Sequence, residues 1–216
     1  MKIRHSALVL GALMLGTRLA AQEPVLQARL DAATYRSVSV LLDSARVAGI
    51  PTQSLVSKAL EGASKGASGE RIVAALRRLS GELAAARGAL GVESSAAEID
   101  AGATVLHVGV EPRQLARLRA ARPRQSLTIP LGMMADLVAR GVPTDSAGAV
   151  VLALARANMR DEDFVAFRRN VERDIALGAP PAAAASVRVN FTTRANALSA
   201  DGPQSHQGSP PRPRKP

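Results

Sequence analysis

Twice in this chain an alanine- and leucine-rich stretch is interrupted by the same kind of corner, Gly49-Ile50-Pro51-Thr52 and, 92 positions later, Gly141-Val142-Pro143-Thr144. Each residue type in the corner has a distinct effect. Glycine enters the left-handed conformation that closes a helix C-terminus, and the aliphatic residue folds back onto the helix just ended. Proline cannot continue that helix, and threonine is suited to cap the next one. A chain punctuated in this way is committed to helices joined by tight turns. Gly109-Val110-Glu111-Pro112 is a variant, with Pro112 suited to a first helical position.

Between the corners the apolar residues recur in steps of four and three. Val25 to Val47 is expected to be one helix with Leu26, Leu30, Ala33, Ser37, Val40, Ser44 and Val47 on its inner stripe, widened by Val38 and Leu41. A second helix is expected over 53–65, with Leu55, Val56, Ala59, Leu60 and Ala63 inward. The third carries the clearest heptad stripe, Ile72, Leu76, Leu79, Leu83, Ala86 and Leu90, and ends at Gly91. Ser95 and Glu98 form a capping-box pair for a helix reaching about His107. A short helix should follow Pro112 and stop before Pro123, and Thr128 is expected to cap another, with Pro130 in its first turn, that closes at Gly141.

Aligned without gaps, 49–86 and 141–178 share 11 identities in 38 positions, among them Ser54/Ser146, Leu60/Leu152, Glu70/Glu162 and Arg77/Arg169. The pattern predicts two duplicated three-helix units, about 27–90 and 128–177, joined by a helix pair at 95–121. Composition agrees with helices. Apolar residues make up 47% of the chain but aromatics only 2%, so alanine and leucine must fill the core, and both favour helix over strand. The expected fold class is therefore all-α, a multi-helix bundle or a short array that resembles the stacked helix–turn–helix packing of α-solenoids. The helical domain is expected over 22–188 and a disordered basic tail over 189–216, where Gly, Pro, Ser and Gln precede a final PPRPRKP. Val187, Val189 and Phe191 alternate with polar residues, a short strand-like signal just after an alanine run.

Residues 1–21 have the order of a signal peptide: Lys2 and Arg4, an uncharged run from Ser6 to Thr17, then Leu19-Ala20-Ala21 before Gln22. The expectation is export to the periplasm or beyond. The chain has no cysteine, which removes disulfides, thiolate chemistry and a lipid-bearing N-terminal cysteine as possibilities. The net charge is +10, of which Lys2, Arg4 and Arg18 belong to the leader, leaving +7 for the remainder. Such a balance favours anionic surfaces or partners.

Five arginines, Arg113, Arg117, Arg119, Arg122 and Arg124, lie within twelve residues with no acid among them. They are the candidate anion- or partner-binding residues, weighed against an ordinary solvated face paired with acids elsewhere. Gly49, Pro51, Thr52, Gly109, Pro112, Gly141, Pro143 and Thr144 are candidate structural turns. Apart from His5 in the leader and His206 in the tail, His107 stands alone and fits a helix end better than a catalytic centre. Asp161-Glu162-Asp163 suits a helix start, where carboxylates meet the positive end of the dipole. The glycines between Glu61 and Gly69 lack the spacing of a phosphate loop, although Lys58, Lys65 and Arg71 lie near them.

These residues imply no catalytic set, metal site or cofactor. The leading expectation is a non-enzymatic helical scaffold of the bacterial cell envelope that binds another envelope protein. The alternative is electrostatic binding to an anionic envelope polymer or lipid surface through the arginine-rich helix, and an enzyme with an unrecognised site ranks last. Nucleic acid is disfavoured, because export removes the chain from it and there are few aromatics for stacking bases. The mature chain is expected to contain no transmembrane span, and nothing in it specifies an oligomeric state.

Overall fold

A computed structural model describes residues 23–200, so the leader and the last sixteen residues, with the expectations placed on them, lie outside the described residues. The described residues form ten α-helices and no β-sheet. They are α1 (Glu23–Arg29), α2 (Ala32–Val47), α3 (Gln53–Ser64), α4 (Gly69–Leu90), α5 (Ala96–His107), α6 (Pro112–Ala121), α7 (Thr128–Ala139), α8 (Thr144–Arg156), α9 (Asp161–Ala176) and α10 (Pro181–Ala200).

The glycine and the aliphatic residue of each corner act as expected. Gly49, Gly109 and Gly141 have φ of 66°, 92° and 91°. In each, the glycine N–H and that of the following aliphatic residue turn back onto the last helical turn: Ile50 donates to the Ala45 carbonyl at 2.8 Å, Val110 to Val105 at 3.2 Å and Val142 to Leu137 at 3.0 Å. This is the Schellman closure, and Ile50, Val110 and Val142 are buried by it. Asn158, at φ 53°, closes α8 in the same way, with Met159 donating to Leu154 at 3.2 Å. Its position is 92 after Gly66, which closes α3.

Caps conform in part. Ser95 and Glu98 make the expected reciprocal capping box. Thr52 occupies an N-cap but is buried and makes no side-chain cap bond. Thr128 and Thr144 are the first residues inside their helices, with Leu127 and Pro143 at the N-cap positions.

Two expected elements differ. Val25 to Val47 is not one helix, because Asp31 caps a new start by accepting from the N–H groups of Ala33 at 3.0 Å and Thr34 at 2.9 Å. After this break the inward stripe of α2 is Thr34, Val38, Leu42 and Ala45, while Val40 and Val47 lie exposed on the opposite side. The second difference is at the C-terminal end, where Val187, Val189 and Phe191 belong to a helix rather than a strand. The alanine run before them has high helix propensity, and α10 continues through residues 189–200 of the expected tail.

Packing follows a rule of alternate neighbours. α1 packs on α3, α2 on α4, α4 on α6, α5 on α7, α6 on α8, α7 on α9 and α8 on α10. Sequential contacts such as α3 with α4, α4 with α5 and α9 with α10 hold the even and odd rows together. The result is a short two-row stack of helices with one continuous aliphatic core. α4, the longest helix, is its central member, burying Ile72, Leu76, Leu83, Ala86 and Leu90. Gly102 on α5 lets that helix come close: a Cβ there would lie 3.0 Å from both the Ala86 Cβ and the Leu90 Cδ1.

Helix bounds recur at the 92-residue offset. α2 ends at Val47 and α7 at Ala139, α3 ends at Ser64 and α8 at Arg156, and α4 begins at Gly69 and α9 at Asp161. Pairing does not recur in the same way. α3 packs along α4, whereas α8 packs on α6, α7 and α10 instead of along α9. The inward face of α9 is also turned. It buries Phe164, Phe167 and Val171, and the counterpart of the core residue Leu76 is Arg168, which pairs outward with Asp136 at 2.6 Å.

Candidate functional site

The arginine-rich segment begins on α6, which Pro112 opens at its first position and Leu115 and Leu118 anchor in the core. Its five arginines divide. Arg113 and Arg117 are exposed and line a cleft of about 230 Å³ between α6 and α8, with Gln114, Asp145, Gly148, Ala149 and Leu152. Arg113 pairs with Glu111 at 2.6 Å, and Gln114 donates to Asp145 at 2.8 Å across the cleft. α6 ends at Ala121, so Arg124 lies beyond the helix and does not share the face of Arg113 and Arg117. It lines a different cleft of about 300 Å³, with Glu93, Ser94, Glu98, Arg119, Gln125 and Ser126 among its walls.

Arg119 and Arg122 turn inward. Arg119 donates to the Glu98 Oε1 at 2.5 Å and to the Gln125 carbonyl at 3.0 Å. Glu98 is buried and also accepts from the Leu127 N–H at 2.9 Å and the Ser95 N–H at 2.9 Å. One carboxylate thus ties the start of α5, the end of α6 and the start of α7. Burial pushes its pKa up, but the hydrogen bonds from Ser95, Arg119 and Leu127 outweigh burial and hold it below the usual value. Arg122, also buried, donates to the Met159 carbonyl at 3.2 Å and to Asp161 at 2.9 Å. These two arginines are struts of the stack.

Other charged candidates are similarly engaged. Asp161, Glu162 and Asp163 occupy the first turn of α9, and Asp163 accepts from the Arg160 N–H at 2.8 Å. At the glycine-rich turn after α3, Lys58 and Lys65 both pair with Glu61, whose pKa falls to about 2 through their hydrogen bonds and charges.

A further feature appears where the alternate-neighbour rule lapses. α3 and α5 do not pack along each other, and α4 forms the floor between them. Ser54 donates to Asp100 at 2.6 Å and bridges the two walls. The groove, about 230 Å³, has Ala75, Leu79 and Ala103 as its apolar base and Lys58, Arg78, Glu82, Thr104 and His107 around it. His107 is the last residue of α5, and its Nδ1 lies 2.9 Å from the Glu82 Oε1. Leu79 is the one member of the heptad stripe left only partly buried. The arrangement suits an apolar side chain presented on a polar backbone or rim. Sequence reasoning read Leu79 as core, because a heptad stripe does not reveal which neighbouring helix is missing.

No group of three or more His, Cys, Asp or Glu residues converges in a metal-binding arrangement among the described residues, and no described helix is long and apolar enough to cross a membrane.

No protein-family model, curated protein or solved structure matches this chain. Its function is therefore read from the stack itself.

Proposed function

We propose that this protein is an exported, non-enzymatic helical scaffold that binds another protein of the bacterial cell envelope. The observation that carries the reading is the groove between α3 and α5: an apolar base with a mixed polar rim, where alternate helices do not pack along each other. A protruding apolar side chain of a partner fits such a surface better than a polar small molecule does. Export is supported by the order of charge, apolar run and small residues over 1–21.

Duplication belongs to the same proposal. The shared corners, the helix bounds repeating at 92 residues and the left-handed pair Gly66 and Asn158 support two copies of an ancestral three-helix segment. The copies then diverged in packing, with α9 rotated and α8 given new neighbours.

The test is photo-crosslinking from a reactive residue placed at the exposed Thr104, on protein expressed in a bacterial envelope. A discrete crosslinked protein that disappears with Leu79→Asp supports the reading, provided that variant keeps the parent's helical circular dichroism. Labelling no stronger than from a probe at exposed Val92 would overturn it, and a mature chain still beginning at Met1 would remove the cleaved leader.

A second reading, electrostatic binding to an anionic polymer, has Arg113, Arg117 and Arg124 to call on, since Arg119 and Arg122 are committed inward. It predicts retention that falls steeply with salt.

A further inference from the structure

α10 is apolar on two opposite faces. One faces the stack: Ala185 is buried and Val189 packs against the core, while Ala184, seven residues before Phe191, is the buried N-terminal member of the other. The other carries Val187, Phe191 and Leu198, spaced by four and seven residues and exposed by 66%, 69% and 76%. Single exposed apolar residues are ordinary, but three large ones aligned along one helix face are not.

The orientation of this helix is held at two points. Arg188 makes a two-pronged pair with Asp174, at 2.5 and 2.7 Å. Eight residues on, the Asn196 side chain donates to the Ala157 carbonyl at 2.9 Å. These anchors fix the rotation of α10 on α8 and α9, so the outer stripe cannot turn inward without breaking them.

The charges around the stripe choose its occupant. From Pro181 to Ala200 there is no acid, and Arg194 is exposed on the side of the stripe with no ion pair among the described residues. The sixteen residues that follow contain no Val, Leu, Ile, Met or Phe with which to cover it, but they add Arg212, Arg214 and Lys215 against Asp201 alone. A second copy laid parallel, α10 against α10, would bring Arg194 near Arg194, and in either direction α10 offers no carboxylate to neutralise it. An anionic bilayer surface supplies both missing halves, negative headgroups for the cations and an acyl boundary for the aliphatic and aromatic side chains.

We propose that the outer face of α10, through Val187, Phe191, Leu198 and Arg194, docks the protein onto an anionic lipid surface as a peripheral, interface-lying helix. The docking is separate from whatever protein occupies the α3–α5 groove, and it needs no residue of that groove.

The experiment is sedimentation of the purified protein with vesicles of phosphatidylcholine, with and without phosphatidylglycerol, at low and high salt. Binding is expected on the anionic vesicles and to weaken with salt. Phe191→Asp and Leu198→Asp should each weaken partitioning about tenfold, the effect of keeping one bulky side chain from the acyl boundary. Arg194→Glu should reduce the preference for anionic over neutral vesicles. Helical circular dichroism and urea midpoints are expected to stay near the parent values, since these side chains are largely exposed. Equal binding to both vesicle types, or unchanged binding by the Phe191→Asp/Leu198→Asp double variant, would overturn the proposal. So would a lipid-free dimer that the double variant abolishes, which would make a second copy the occupant.

Discussion

The guanidinium of Arg122 lies over the ring of Phe164, its central carbon 5.1 Å from the ring centroid. One residue in the turn after α6 thereby reaches the start of α9, where it also holds Asp161 and, just before the helix, the Met159 carbonyl. A buried cation is tolerated because an aromatic face, a carbonyl and a carboxylate surround it.

Removing either side of that arrangement should be costly. Arg122→Ala is expected to lower stability by about 3 kcal/mol, and Asp161→Ala, which strands the buried guanidinium, by roughly the same. Arg122→Lys should recover only part of the loss, since an ammonium cannot serve carbonyl, carboxylate and ring with one planar fork. Urea unfolding followed by circular dichroism measures all three; an Arg122→Ala change below about 0.5 kcal/mol would place the residue among ordinary surface positions.

Glu98 makes stability depend on pH. Its folded-state pKa is lowered, so its contribution is complete above the unfolded value, about 4.3, and is lost as the pH falls from there through the folded value. Glu98→Gln should cost about 2 kcal/mol at neutral pH by weakening the charge-assisted bonds from Arg119 and Leu127. It should also flatten the acid side of the stability profile. The flattening will be partial, because Asp31, Glu61 and Asp174 are lowered too. An acid limb identical to that of the parent chain would refute the role given to Glu98.

The two faces of α2 are distinguished by a paired substitution. Leu42→Ala should cost about 3 kcal/mol, as for a fully enclosed leucine. Val40→Ala and Val47→Ala should each stay within about 0.5 kcal/mol, because both side chains are in solvent. A reversed order in thermal or urea midpoints would restore the stripe expected from sequence spacing.

Asn158 holds a left-handed backbone at φ 53° in a corner where its counterpart Gly66 has φ 68°. Asn158→Gly is expected to be stabilising by at most about 0.5 kcal/mol, because relief of strain is offset by greater freedom in the unfolded chain. Asn158→Val should destabilise by about 1–2 kcal/mol. Calorimetric midpoints in the opposite order would show that the Asn158 side chain, rather than the backbone conformation, holds this corner.

The corners, the α4 stripe and the capping box at Ser95 and Glu98 were legible before any coordinates. Legibility failed where a pattern had two solutions. Leu26, Ala33, Val40 and Val47 form as regular a stripe as Thr34, Val38, Leu42 and Ala45, and it took the Asp31 cap to restart the helix and set the inward face. Val187 to Phe191 reads equally as a strand or as two faces of a helix, and contact with α8 and α9 settles it. For the arginines, helical spacing would put Arg113, Arg117 and Arg124 on one side of a continuous helix, but the helix ends at Ala121 and sends the last of them to another cleft.

Residue order by itself determined that this chain is helical and where most helices stop. Left-handed glycines, imide nitrogens and caps act over four or five neighbouring residues and need no distant partner. Tertiary structure alone decided which arginines carry load and which remain on the surface. Glu98 is 21 residues from Arg119 and Asp161 is 39 from Arg122. A charge can be buried only where such a partner arrives, and its arrival depends on how whole helices pair.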